Sequence, residues 1–315
     1  MKNDSDALDP EVVATLMGGE KAEMVFTDPP YNVAIEGNVS GLGKVCHREF
    51  AMASGEMSPT EFTRFLSAAF ANLVAHSLEG SIHFICMDWR HMTEILKAGA
   101  GHYAELKNLI VWAKDNGGMG AFYRSRHELI FAFENGSAPH INSFELGQHG
   151  RYRTNVWEYR GVNTLKAGRM DELALHPTVK PVAMIADAIK DVSRRGGVVL
   201  DLFGGSGSTL IAAHKTGRRA RLCELDPIYC DRILSRWETF ARDDAELIAC
   251  GLSPRRSSGG TSRGEYDGSR AELATGDGAG PPAQVMRLKC GEAVPLNEAH
   301  SQPRDQGSHR AYRSA

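Results

Sequence analysis

The sequence predicts an α/β protein built on a doubly wound, mostly parallel sheet with an antiparallel edge hairpin. Three observations carry that prediction. Short apolar runs alternate with helix-periodic segments over residues 1–250, the pattern of right-handed βαβ units. One run, "GVVLDLF" (197–203), is continuously apolar, as expected of a strand buried on both faces. It opens into "GGSGS" and then a helical pattern, the strand–turn–helix arrangement that aims backbone N–H groups at a ligand.

The elements follow in order. Asp9 and Pro10 form an N-cap and first helical position, with a stop at Gly18. "EMVFT" (23–27) is a buried strand. "SPTE" (58–61) is a capping box with proline at N1, followed by Phe62, Phe65, Leu66, Ala69 and Leu73 at helical spacing. "SIHFICM" (81–87) is a second strand, and Asp88 caps the helix "WRHMTEILKA", which Gly99 stops. "LKNLIVWAK" (106–114) and "HELIFAFE" (127–134) are two strands paired antiparallel. Thr178 caps a helix bearing Val182, Ile185, Ile189 and Val192 on one face, with a left-handed stop at Gly196. "ARLCEL" (220–225) is a further strand, and Asp226–Pro227 starts a last helix through Trp237 and Phe240.

The composition suits one large catalytic domain, residues 1–250, with an insertion at about 135–175 that is too long for an ordinary connection. Residues 251–315 are rich in Gly, Ser, Pro and Arg and poor in aliphatics, so they are expected to be disordered. A formal net charge of −3 gives no global attraction to nucleic acid; such binding would need a local basic patch. No apolar run approaches a membrane span and the first residues are polar, so neither a membrane nor a secretory role is expected. Six cysteines without a C-x-x-C pair argue against a zinc site or disulfide framework and for a reduced, cytoplasmic setting. His127–Glu128 lacks the second histidine of a zinc motif.

Two stretches carry the chemistry. In "DLFGGSGSTLIAAHKTG" (201–217), Gly204, Gly205 and Gly207 let a ligand approach the backbone. Glu224 follows at the end of the next strand, where an acid accepts hydrogen bonds from ribose hydroxyls in nucleotide-binding folds. In "FTDPPYNV" (26–33), Pro29 and Pro30 stiffen the chain and supply no N–H. That loop offers acceptors, the Asp28 carboxylate and the Pro29 carbonyl, beside the ring of Tyr31. Such a set suits a planar base with an exocyclic amine. Hydrogen bonds from both N–H groups favour a pyramidal nitrogen with an available lone pair, and Tyr31 stacking on the base contributes about 1–3 kcal/mol. Each stretch alone could be a structural turn. Together, at the carboxyl ends of strands in an open sheet, they define one crevice.

With "TDPPYN" (27–32), "HPTVKP" (176–181), "LDLFGGSGSTLIA" (200–212) and "CELDPIYCDRI" (223–233) in that order, residues 6–240 resemble the S-adenosylmethionine-dependent amino-methyltransferases of DNA in their β arrangement, adenine-N6 type. The resemblance implies a Rossmann-like methyltransferase sheet and S-adenosyl-L-methionine as cofactor. It implies that Asp28, Pro29, Pro30 and Tyr31 position the target amine of a base flipped from the duplex. Asp201, Phe203, Gly204, Gly205 and Gly207 would surround the methionine part of the cofactor and Glu224 would hold its ribose. Thr178 and Lys180 would hold its carboxylate, and Asp6 and Ala7 would lie near its adenine. Position 5 departs from the family's "GDAL" element, being serine in "SDAL". Transfer would be an in-line displacement without a covalent enzyme intermediate.

The insertion coincides with the family's target-recognition region and carries Arg151, Tyr152, Arg153, Trp157, Tyr159, Arg160, Lys166 and Arg169; "NGGMGAFYRSRHE" (116–128) adds Arg124 and Arg126 on a loop read as mobile and near DNA. The implied partner is double-stranded DNA, with a homodimer and a cognate restriction nuclease as further partners the resemblance allows. "DPPY" favours adenine N6 over cytosine N4 without excluding the latter. A catalytically silent DNA-binding remnant is the alternative from another class, and a nicotinamide dehydrogenase is more distant, having no use for "DPPY".

Overall fold

The computed structural model of the chain describes residues 7–33, 52–118, 122–148, 150–161 and 179–242. The tail expected at 251–315 and the part of the expected insertion from 162 to 175 lie outside them. Seven strands form one sheet: β1 (Ala22–Thr27), β2 (Ser77–Met87), β3 (Glu105–Ala113), β4 (His127–Glu134), β5 (Val156–Glu158), β6 (Val198–Asp201) and β7 (Arg219–Leu222). Their spatial order is β5-β3-β4-β2-β1-β6-β7. Only β4 runs against its neighbours, β2 and β3; the other pairings are parallel. The antiparallel hairpin is therefore one strand in from the edge, because β5 of the insertion adds beside β3 through Val111↔Val156 and Trp112↔Trp157.

Helices cover both faces. Side chains alternate along each strand, so Met24 and Phe26 point to one core and Val25 to the other, which Ala22 joins across a register shift between Ala22 and Met24. The first core takes α4 (Val182–Val192), α5 (Ser208–Thr216) and α6 (Pro227–Ala241); the second takes α1 (Pro10–Met17), α2 (Pro59–Ala75) and α3 (Met92–Ala100). The caps are where the sequence puts them. Asp9 accepts from the Glu11 N–H at 2.9 Å, Ser58 and Glu61 close the capping box, and Asp226 accepts from the Ile228 N–H at 2.9 Å.

Two local expectations change. Asp88 caps a single 3-10 turn, Trp89–His91, before α3 begins. Gly99 lies inside α3, which runs on to a cap at Gly101. A Cβ at Gly99 would sit 2.7 Å from the ring of Phe133, so this glycine makes room for packing rather than ending the helix. Thr178 lies outside the described residues, and α4 begins after Pro181 in extended backbone.

Candidate active site

From β1 the chain proceeds to β2 on one side; from β6 it proceeds to β7 on the other. Adjacent parallel strands whose connections diverge leave a crevice at their carboxyl ends. β1 ends in Thr27 and continues into Asp28–Tyr31; β6 ends in Asp201 and continues into the glycine turn. The Thr27 hydroxyl donates to Asp201 Oδ1 at 2.8 Å. The two expected loops thus line one cleft.

On the glycine side, the Phe203 N–H also donates to Asp201 Oδ1, at 3.1 Å. Burial pushes the Asp201 carboxyl up to about 7, against the lowering effect of its hydroxyl and backbone donors. Gly204 is held by its N–H to the Cys223 carbonyl at 2.8 Å. Gly207 caps α5 with φ +75°, and a Cβ there would meet Ile233 Cγ2 of α6 at 2.8 Å. Glycine is thus required twice over, by backbone region and by close packing. Arg236 of α6 braces the turn, donating to the Ser206 carbonyl at 2.7 Å. Glu224, just past β7, accepts from the N–H groups of Gly205 at 2.7 Å and Asp226 at 3.0 Å. Phe203 packs on Phe65 with ring centroids 6.0 Å apart. Ala7 is buried, its carbonyl accepting from the Asn72 amide at 2.8 Å.

The opposite wall is a part-buried network of charge around the buried Lys180. Asp28 Oδ1 accepts from the Tyr31 hydroxyl at 2.7 Å, and Oδ2 accepts from Lys180 Nζ at 2.5 Å. The Lys180 ammonium also lies 3.2 Å from Glu128 Oε2 and 5.4 Å from the centre of the Tyr31 ring. Lys114 Nζ donates to Glu128 Oε1 at 2.5 Å. Burial raises the Asp28 carboxyl, the Lys180 ammonium opposing it and Glu128 adding to it. Burial also acts to raise Glu128, but two ammonium groups outweigh it and hold that carboxyl down at about 2. Lys180 is disfavoured as a cation by burial, yet Asp28 and Glu128 reverse the balance and raise it. Pro29 is buried beneath the loop and Pro30 is half-buried. Asn32 holds the loop's far end at φ +53°, donating to the Met57 carbonyl at 2.8 Å and accepting from Gly55 and Met57 N–H groups.

Several of the expected site residues have partners within the chain. Lys180, expected on the cofactor carboxylate, has its ammonium between Asp28 and Glu128, because a buried cation is held where carboxylates surround it. Arg151 and Arg153, expected on DNA, both pair with the buried Asp191 of α4, Arg153 Nε at 2.9 Å. Trp157, also expected on DNA, is core: its ring packs on Phe84 at 5.7 Å and its indole N–H donates to the Thr154 carbonyl. Tyr159 donates to Asp187 at 2.6 Å. Apolar burial and the unmatched Asp191 draw these side chains inward. By contrast Arg124, Arg126, Tyr152 and Arg160 are exposed, Tyr152 to 81%; Phe122 and Tyr123, next to Arg124 in the chain, are 87% and 81% exposed. Asp6, Lys166, Arg169 and Thr178 lie outside the described residues.

Sequence reasoning missed Glu128 and Lys114. Reversal of β4 brings its first residues beside the last of β2, Met87↔Leu129, and beside the last of β3, Trp112↔Glu128. Both charges thereby reach the crevice. The available signal was a lysine and an acid at facing ends of two strands read as a pair.

Donors and acceptors across this crevice fit S-adenosylmethionine. Asp201 and Glu224 are acceptors for an ammonium group and ribose hydroxyls, and the start of α5 offers N–H groups to a carboxylate. A family model described as DNA methylase, of N6 and N4 type, matches residues 22–235. The DNA adenine methyltransferase YhdJ of Escherichia coli is 27% identical over 255 residues, 73% of this chain and 81% of its own length. Type II methyltransferase M2.DpnII of Streptococcus pneumoniae is 26% identical over 219 residues, 64% of this chain and 77% of its own. Among solved structures, an M1.HpyAVI–SAM complex aligns over 75% of this chain and 97% of its own, with TM-score 0.53 and 18% identity. PvuII DNA methyltransferase, cytosine-N4-specific, aligns over 79% and 86%, with TM-score 0.55 and 13% identity. These last two likenesses concern the fold.

Proposed function

The chain belongs to the DNA methylase family of N6 and N4 type, and from that premise we propose that it methylates adenine N6 at a short site in double-stranded DNA. The observation that carries this reading is the shared cleft, in which the Thr27–Asp201 hydrogen bond joins the acceptor loop to the glycine turn. When bound, S-adenosylmethionine supplies the methyl group. Asp201, Phe203, Gly204, Gly205, Gly207 and Glu224 would hold it. The N–H and acceptor groups they present match its amino-acid and ribose ends.

On the facing wall, Asp28 accepts an N–H of the target amine and Tyr31 stacks on the base. The prolines forbid the loop a competing N–H donor. The base must leave the duplex to reach this wall, and the exposed Phe122, Tyr123, Arg124 and Arg126 of the β3–β4 connection support a DNA-facing rim beside it. Positioning and fixed charge carry the catalysis. Cytosine N4 presents the same amine and is the second reading, favoured by the breadth of the family itself. A homodimer and a cognate restriction nuclease are the further partners of this reading.

The test is mass spectrometry of nucleosides from unmethylated genomic DNA treated with the protein and S-adenosylmethionine. N6-methyladenine is expected; N4-methylcytosine alone would move the assignment to the second reading, and no methyl incorporation would overturn both. Asp28→Ala is expected to lower transfer about 10²–10³-fold with calorimetric affinity for S-adenosylmethionine unchanged.

A further inference from the structure

Asp28 enters the reaction with both carboxylate oxygens already engaged. Oδ1 takes the Tyr31 hydroxyl at 2.7 Å and Oδ2 takes Lys180 at 2.5 Å. An amine N–H accepted there competes with these two donors for the same oxygens. Lys180 is buried and Tyr31 half-buried, and a hydroxyl or ammonium left there without an acceptor is disfavoured.

The same site holds a second acceptor for both. Glu128 Oε2 lies 3.2 Å from the Tyr31 hydroxyl and 3.2 Å from Lys180 Nζ. Its other oxygen is fixed by Lys114 at 2.5 Å, so Oε2 is aimed and immobile. Tyr31 has one O–H and can serve one acceptor at a time. Tyr31 is therefore placed between two carboxylates, closer to Asp28, with Glu128 as the alternative, while Lys180, with three N–H groups, serves both and can shift its weight to Glu128.

We propose that Glu128 is a positioning residue for methyl transfer: its Oε2 receives Tyr31 and Lys180 as the target amine takes the oxygens of Asp28. This rests on the reading of Asp28 as the acceptor of that amine. Glu128 acts only through its neighbours. Lys180 and Lys114 together keep it ionised and Lys114 holds it in place, and the exchange moves donors by less than the width of an atom. Glu128 also sets the charge that Asp28 experiences. The groups facing Asp28 are Lys180, Tyr31 and Glu128, with Cys86 of β2 and Asp201 of β6 nearby; among these the Glu128 charge works to raise the Asp28 carboxyl.

The test compares the parent protein with Glu128→Gln and Asp28→Ala in single-turnover methylation of unmethylated bacterial genomic DNA. Both S-adenosylmethionine and DNA are kept saturating. The glutamine has one acceptor oxygen and cannot serve Lys114 and the Tyr31–Lys180 pair together. Its rate is expected to fall about 10²-fold, with calorimetric affinity for S-adenosylmethionine within twofold. The acid limb of its rate–pH profile is expected to move to lower pH, and a carboxyl-carbon NMR titration should show Asp28 ionising at lower pH. A rate within twofold of the parent with an unmoved acid limb, while Asp28→Ala is inactive, overturns the role of Glu128 alone. Parent-like activity in Asp28→Ala overturns the underlying reading instead. Should Glu128→Gln fail to fold because Lys114 is left unmatched, Lys114→Met/Glu128→Gln removes both charges and is judged by the same rate and pH criteria.

Discussion

The hydroxyl of Thr27 and the carboxylate of Asp201 meet at 2.8 Å across the ends of two adjacent parallel strands. The bond lies at the point where the strand connections diverge, and it sets the spacing of the two loops that form the cleft. Thr27→Val keeps the shape and removes the donor. The change should cost about 1–3 kcal/mol of folding stability, since a buried acceptor loses a partner. Urea unfolding measures it; a loss below the error of the method would mean the bond contributes nothing to the joint.

Asp201 should leave a signature in the pH dependence of stability. Its folded carboxyl is raised to about 7, so between about pH 4 and pH 7 the folded state binds more protons than the unfolded chain. The sign follows: this group's contribution falls as pH rises through that window and is level above it. Asp201→Asn retains an acceptor for Thr27 and Phe203 and cannot ionise. The cofactor-free variant should therefore gain on the parent with rising pH, by on the order of 4 kcal/mol across the window. Parallel stability–pH curves for the two proteins would rule this out.

Gly207 should not tolerate a methyl group. Alanine there would adopt φ +75° and press its Cβ to 2.8 Å from Ile233. Destabilisation should exceed about 1 kcal/mol, and affinity for S-adenosylmethionine should fall more than about tenfold through displacement of the turn. Calorimetry and thermal unfolding read the two effects separately.

Asp191 should matter to stability although it is remote from the cleft. It takes Arg151 and Arg153, docking the segment 150–161 on α4. Asp191→Ala leaves two guanidinium groups facing a buried site and should cost about 3 kcal/mol. A double-mutant cycle with Arg153→Ala should show coupling of about 1 kcal/mol or more; additive losses would separate the two residues energetically.

Much of this architecture is legible locally. Asp9, Ser58 with Glu61, and Asp226 announce helix starts because a cap needs only neighbours within a few residues. The stretch 197–203 reads as a central strand because its apolar run is continuous, and Gly207 reads as a forced turn because no other residue takes that backbone region cheaply. "TDPPYN" and "LDLFGGSGS" carry enough chemistry in a few residues to name an acceptor loop and a ligand turn before any coordinates.

The sequence by itself therefore determined the sheet class, the two loops of the cleft and the type of reaction they suit, because those signals are short-range. Only the tertiary structure decided who partners whom among the charges. Reversal of β4 carries Glu128 to the same edge as Asp28, and the entry to α4 carries Lys180 between them. It likewise paired Arg151 and Arg153 with Asp191 and packed Trp157 in the core. Pairing of buried charges depends on distances between residues far apart in the chain and on the loss of water around them, and neither quantity is written in local spacing.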